Sequence, residues 1–280
     1  MIENIYIVFV FALGLIIGSF LNVLIYRLPR EISIFKKKRS FCPKCKKALS
    51  AKELVPLFSF IFLRGRCAGC KKKISFKYPV VEFMAGLLFA LAFIRLGIYG
   101  SGFMTHEVAR LVFSLIIISI LIVVFFIDLK HYIIPDSLVI VGSLVSAVYL
   151  LLVQYIFSGT GAMSKGSYIK NSLFDLLFSE RFIIQKSLLL NHVFFAIMGV
   201  VFFGLIIFIT KGKGMGMGDL KFSILMGLVL GGKIIGAIYV AFVLGAIVGV
   251  AMILLKKKKL KSMVPFGPFL IIGTLLGMFL

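Results

Sequence analysis

Acid is scarce in this chain. Ten Asp and Glu residues stand against 32 Lys and Arg, for a net charge of +22. On a soluble chain such a balance would suggest nucleic acid as partner. But only 15% of residues are charged and 61% are apolar. Soluble domains are nearer a quarter charged, so a soluble fold is excluded and most apolar surface is expected to face lipid. The shortage of acids also leaves few to line an ion path. Other absences narrow the field further. No Walker-type G-K-[ST] follows the glycines at 214–218, and no soluble-type G-x-G-x-x-G lies in the cysteine-bearing loop. Neither an internal repeat nor a low-complexity tract is present. No cleaved leader is expected, because Met1–Asn4 carries an acid and no small-residue cleavage site follows the first apolar run.

What is there is a series of apolar runs. A membrane span needs roughly 20 such residues. Eight candidates are expected: Ile5–Ile25, Val80–Leu96, Leu111–Ile127, Leu138–Phe157, Val193–Ile209, Phe222–Leu230, Ile234–Leu255 and Val264–Leu280. The sixth is too short to cross unless its glycine-rich entry and Gly231-Gly232 sit at membrane depth, which requires protein or a wet cavity around them. The loop Arg27–Lys77 holds 16 of the 32 basic residues. Lys130, Lys211, Lys213, Lys221 and the Lys256–Lys259/Lys261 cluster alternate onto the same side. Basic loops mark the cytoplasmic face, so both termini are expected outside, and the charge reads as membrane orientation with anionic lipid as partner rather than nucleic acid. The fold class expected is an all-α polytopic membrane protein of about eight transmembrane helices, with a small cytoplasmic zinc-binding loop between the first two. No chemistry is assigned to the long outside loop Ser158–Leu190.

All four cysteines lie in that first loop, as Cys42-Pro-Lys-Cys45 and Cys67-Ala-Gly-Cys70. Two C-x-x-C knuckles at this separation fit one tetrahedral zinc with four thiolates. A disulfide is the ordinary alternative, disfavoured in a reducing compartment. Four sulfurs leave no open position, so the role expected is structural, with the metal supplying much of the loop's folding energy.

Of the ten acids, Glu82, Asp128, Asp136 and Asp219 fall at span edges. Such acids either mark the water interface or line a functional path. Asp136, after Pro135 and before an apolar helix, reads as an N-cap. Asp219 sits in G-M-G-M-G-D-L-K, where Gly216 and Gly218 offer positive φ and room for close backbone approach. Asp128 ends the third span. Two aspartates meeting in a partly dry site share a proton. One can then take a proton from water while the other donates to a peptide carbonyl. Lys130 and Lys221 read as interface anchors.

These motifs together resemble those of the type IV prepilin leader peptidases, over nearly the whole chain. Gly18-Ser-Phe-Leu-Asn-Val-Leu-Ile-Tyr-Arg-Leu-Pro29 looks like that family's signature at the end of the first span. Arg64-Gly-Arg-Cys67 and Tyr78-Pro-Val-Val-Glu82 match its zinc domain. Ile127-Asp128, Ile134-Pro135-Asp136 and Gly216-Met-Gly-Asp219-Leu-Lys221 match its aspartate motifs. The resemblance implies a bifunctional enzyme of the bacterial cytoplasmic membrane. Such enzymes cleave the leader of prepilins or pseudopilins and methylate the new N-terminus with S-adenosylmethionine. It also implies Asp128 and Asp219 as the catalytic pair and the cysteines as zinc ligands. Gly65 and Glu82 are the candidates for the methyl-donor site; a turn and a span-edge acid paired with a loop lysine are their ordinary readings. The expected division is 1–26 as first span, 27–79 as zinc domain linked to methyl transfer, and 80–280 as peptidase core. Two other classes compete: a transporter with a regulatory zinc loop, and a non-catalytic subunit of a secretion system. Ser50–Phe60 lacks the Asn before I-P-L that many family members carry.

Overall fold

The structure is a computed structural model. It describes residues 2–33, 40–42, 44–97, 105–158, 187–212, 214–255 and 265–280. Lys213, the lysine cluster at 256–261 and most of the loop 158–190 lie outside the described residues. The α-helices among the described residues are α1 (Ile2–Arg27), a five-residue α2 (Phe58–Phe62), α3 (Lys77–Leu96), α4 (Thr105–His131), α5 (Asp136–Ser158), α6 (Leu188–Ile209), α7 (Met217–Leu230), α8 (Ile234–Leu254) and α9 (Gly267–Phe279). Among the described residues, extended pairing is limited to two isolated bridges, Phe41 with Ala48 and Arg66 with Lys73. Apolar helices therefore stand at each of the eight expected places.

Among the described residues, six stretches are long and apolar enough to cross a membrane, and the protein is a multi-pass membrane protein. One of the six, Met217–Leu254, is 38 residues long. It is broken at Gly231, whose φ of +55° suits glycine, by one 3-10 turn over Gly231–Lys233. α7 alone has 14 residues, about 21 Å of helix, against a hydrocarbon layer of roughly 30 Å. Gly231 and Gly232 are buried in protein, which is how irregular backbone at that depth is kept satisfied.

The chain divides into two compact units, Met1–Ile127 and Asp128–Leu280, so the division falls within α4. In the first unit, small residues let α1 and α3 approach closely. A Cβ on Gly14 would lie 2.7 Å from the Ala85 carbonyl oxygen, and one on Gly18 2.7 Å from the Glu82 Cα. Asn22 on α1 donates to the Tyr78 carbonyl at 3.1 Å. α3 has Pro79 in its first turn, where a missing N–H costs nothing. It ends on Gly97 at φ +61°, a left-handed helix stop.

In the second unit, α5, α6 and α7 meet around Leu150, Ala196 and Leu228. The side-chain carbonyl of Gln154, near the end of α5, accepts from the Ser187 hydroxyl and the Leu189 N–H, joining α5 to the start of α6. Gly227 of α7 sits against the Ala196 backbone, and Gly273 of α9 against the Ala237 backbone. Gly227→Val is therefore expected to destabilise the protein by about 1–3 kcal/mol through overpacking. Gly249→Ala, with open space around it, is expected to leave the melting temperature in detergent unchanged or slightly raised. Equal effects of the two substitutions would show that the α6–α7 contact is not tight.

Candidate active site

Asp128 lies in the last turn of α4. The helix stops just beyond it because Tyr132 turns to φ +58° while its N–H still bonds the Asp128 carbonyl at 3.0 Å. Ile134 then folds inward, 7% exposed, before Pro135 opens α5. Asp219 is the third residue of α7, and its carboxylate reaches back to accept the Gly216 N–H at 3.3 Å. That is the acid half of a capping box. It also places negative charge at a helix N-terminus, where the macrodipole favours it.

The second unit brings these two acids together. The Asp128 carboxylate accepts the Gly267 N–H at the start of α9, a second helix N-terminus turned toward an anion. The fit at Gly267 is so close that any Cβ there would collide with the Asp128 carboxylate. Ile134 is wedged between the two sites. Its side chain lies 3.3 Å from where a Gly218 Cβ would stand and 3.4 Å from that of Gly267. Asp128 is also near enough for its charge to act on Asp219. The acids are only 5% and 8% exposed. A pair of nearly dry carboxylates, each holding one backbone N–H, can divide a single proton between them.

Two expectations about the surroundings change. Gly216 and Gly218 do not use positive φ. Gly216 is extended at φ −85° and caps α7, while Gly218 is helical and serves close approach to Ile134. Nor is Asp136 an N-cap. It is the first residue of α5, with the Leu138 and Val139 N–H groups bonding Pro135 instead. Its carboxylate accepts from Lys221 Nζ at 2.7 Å. Lys221 is thus tied to the α5 start, two residues beyond Asp219, rather than simply marking the interface. Gly267 was not singled out from sequence. The signal available was Gly-Pro following Pro265-Phe266, a pattern that opens a helix.

The cysteine loop belongs to the first unit and is built twice over on one plan. Cys42 N–H bonds the Lys47 carbonyl at 2.9 Å and Lys46 N–H the Cys42 carbonyl at 2.8 Å; Cys67 with Lys72 and Lys71 repeats this at 3.0 Å each. Lys46 and Lys71 take φ of +59° and +55° at matching positions. The four sulfurs are free thiols and all lie within 4.8 Å of one another, with Cys45 and Cys67 4.0 Å apart. Zinc–sulfur bonds of about 2.3 Å in a tetrahedron put sulfurs roughly 3.8 Å apart, so the cluster fits zinc. The N–H groups of Cys70 and then Gly69 hold the Cys67 thiol down at about 6, from 9.0. Against the Lys47 N–H, which favours the thiolate, burial and the neighbouring sulfurs push Cys45 up to about 11. Sulfurs this crowded cannot all ionise without a cation among them, which a bound metal would supply.

Beside the knuckles is a cavity of about 530 Å³, also within the first unit. Tyr26, Phe41, Phe60 and Tyr78 give it aromatic walls; Asn22 and Glu82 reach it from the two helices. Glu82 is 9% exposed and, among the described residues, is not paired with a loop lysine: its carboxylate accepts from the Leu57 N–H at 2.9 Å and from Ser19. Gly65 takes φ +65° in a turn over the Phe60 ring, and it is not among the residues lining the cavity. Tyr26 and Phe41 are lining residues that spacing alone did not indicate.

Comparison with known proteins agrees with both halves. A family described as "Bacterial Peptidase A24 N-terminal domain" matches residues 12–96. "Type IV leader peptidase family" matches residues 115–254. Proteins named "Prepilin leader peptidase/N-methyltransferase" are similar over nearly full length. The one from Bacillus subtilis (strain 168) is 31% identical, covering 95% of this chain and 91% of its own. The one from Legionella pneumophila is 30% identical, covering 95% and 88%. Its counterpart from Myxococcus xanthus (strain DK1622) is 45% identical over 49% of this chain and 38% of its own. No solved structure matches.

Proposed function

The chain belongs to the type IV leader peptidase family, and from that premise we propose a membrane-embedded aspartic endopeptidase that removes the leader of prepilins or pseudopilins and then methylates the exposed N-terminus. The observation that carries the peptidase reading is the nearly dry pair Asp128 and Asp219, held at two helix N-termini in one compact unit. Asp128 and Asp219 are the catalytic residues of this reading, with Gly216 and Gly267 as their backbone donors.

The chemistry follows from one shared proton. The ionised carboxylate takes a proton from a water molecule as its oxygen attacks the scissile carbonyl carbon. The protonated carboxyl gives its proton to the carbonyl oxygen, leaving an uncharged tetrahedral adduct. Collapse returns a proton to the departing amide nitrogen as the C–N bond breaks, and the pair again holds one proton. Fixed N–H groups at each carboxylate keep both directed at the substrate without reorganisation during the reaction.

Residues 27–79 are assigned to a zinc domain serving methyl transfer, and 80–280 to the peptidase core. S-adenosylmethionine supplies an electrophilic methyl group when bound, and the residues of the 530 Å³ cavity suit it. The volume is that of a small-molecule site. Tyr26, Phe41 and Tyr78 offer faces for a flat base; Lys72 and Lys73 can meet a carboxylate, and Glu53 and Glu82 a cationic group. The positive charge of the loop supports a cytoplasmic position for this domain, on a bacterial inner membrane. The substrate's apolar helix then lies in lipid, with its scissile bond at the same boundary.

The test is direct. Purified protein in lipid with a prepilin-type precursor should yield two products by mass spectrometry. One has lost its leader; with S-adenosylmethionine added, the other gains one methyl group at its new N-terminus. An intact precursor under conditions where the protein is folded would end the peptidase reading.

A further inference from the structure

Along α3, Phe83, Leu87, Leu91 and Ile94 are 42–49% exposed and recur at helical spacing. In a span this stripe faces lipid. Phe76 stands seven residues before Phe83 with helical backbone (φ −64°, ψ −13°), so it extends the stripe toward water, and it is 70% exposed. The Phe60 ring of α2 packs edge-on to Phe76, centroids 6.0 Å apart. This contact seats α2 where the stripe leaves the span. The face of α2 is apolar as well: Phe58 is 57%, Ile61 68% and Phe62 82% exposed. Their i, i+3, i+4 spacing puts all three on one side.

The orientation of α2 is imposed by its surroundings. Leu57 takes φ +60°, ψ −51°, and Phe58 N–H bonds the Pro56 carbonyl at 2.6 Å. A γ-turn of this hand is rare and strained for a residue with a side chain. It is held by buried Glu82, which accepts the Leu57 N–H. A buried acid on α3 thus fixes the helix that displays three large apolar side chains. Exposed basic residues surround it in sequence: Lys52, Arg64, Arg66 and Lys77.

We propose that α2 is an in-plane membrane foot: its Phe58–Ile61–Phe62 face enters the interfacial layer of the bilayer, with the flanking Arg and Lys residues against anionic headgroups. The occupant is lipid because the patch continues a lipid-facing stripe and exposed cations flank it in sequence. The foot rests on the reading of the chain as a multi-pass membrane protein. Its consequence is that the cysteine loop and cavity are held down on the membrane, near any lipid-embedded substrate.

The chain has no tryptophan, so one introduced indole reports alone. Phe62→Trp full-length protein is placed in phosphatidylcholine bilayers with and without phosphatidylglycerol. Phe20→Trp, at a lipid-exposed site of α1, is the reference. Quenching by brominated acyl chains and by aqueous acrylamide is compared. The expected result is blue-shifted emission at position 62, quenched by brominated lipid and protected from acrylamide, with more lipid quenching when phosphatidylglycerol is present. Acrylamide quenching without lipid quenching overturns the proposal. Protection from both quenchers also overturns it, because protein, such as a second copy, would then cover the face. Equal lipid quenching with and without phosphatidylglycerol overturns the part played by the basic rim. If the Phe20→Trp reference itself escapes brominated lipid, the membrane reading has failed rather than the foot.

Discussion

Asp128→Asn and Asp219→Asn are each expected to lower the rate of leader cleavage by about 10³-fold or more. Both side chains are nearly dry, and asparagine keeps their size. It cannot exchange a proton as the carboxyl pair does, so the water loses its base or the carbonyl its acid. The carboxylates make only single backbone hydrogen bonds to Gly216 and Gly267, which an amide oxygen can still accept. Folding should therefore survive, and the melting temperature serves as the check. Gly267→Ala is expected to reduce cleavage as well, with both carboxylates still present. Its methyl group would occupy the place of the Asp128 carboxylate and drive it off its N–H. A variant of either aspartate that cleaves a precursor within about tenfold of the unmodified rate would remove the dyad. The same variants separate an enzyme from a secretion-system scaffold, in which neutral aspartates would leave partner binding intact.

The second large effect concerns the metal. Purified protein is expected to hold about one zinc per chain, and Cys42→Ser or strong chelation to abolish methyl transfer. A four-thiolate site contributes roughly 10–16 kcal/mol of folding free energy. The loop it closes has little else: among its described residues, buried apolar side chains are confined to Cys42 and Cys67 themselves. Without metal, residues 40–75 should become open to limited proteolysis, and the cavity walls supplied by Phe41, Phe60 and Cys67 should be lost with them. Leader cleavage is expected to continue, because Asp128, Asp219, Gly216 and Gly267 all lie in the unit Asp128–Leu280 while the cysteines lie in Met1–Ile127. Loss of cleavage together with methyl transfer would show that the metal loop also supports the peptidase unit. Retention of both activities would detach the loop from the chemistry altogether.

Several features were legible in the sequence because they depend on neighbours along the chain. Long apolar runs must become helices in lipid, where every backbone group has to be satisfied internally. Each C-x-x-C knuckle is a local turn, and its repeat at Cys67 announces a four-sulfur site. The glycine-rich entry to α7 and the aspartate ending α4 were visible as motifs. Other features depend on which distant segments pack together. Asp136 read as a cap, yet folding brings Lys221 to it from 85 residues away. Glu82 read as a partner for a loop lysine, yet close packing of α1 on α3 and the Leu57 turn surround it with an N–H and a hydroxyl. Gly267 carried no visible role until α9 set its N–H against Asp128.

The sequence by itself determined that this chain crosses a membrane, that its cysteines form two knuckles able to hold one metal, and that Asp128 and Asp219 are among the acids at span edges. Only the tertiary structure decided that those acids share one dry site, that α9 supplies a donor to it, and that aromatic residues beside the metal loop enclose a cavity. Helical period and turn chemistry act over a few residues and can be read along a chain. Helix-to-helix contact is chosen by small residues such as Gly227 and Gly273 meeting a particular opposing backbone, and that choice exists only once the helices are packed.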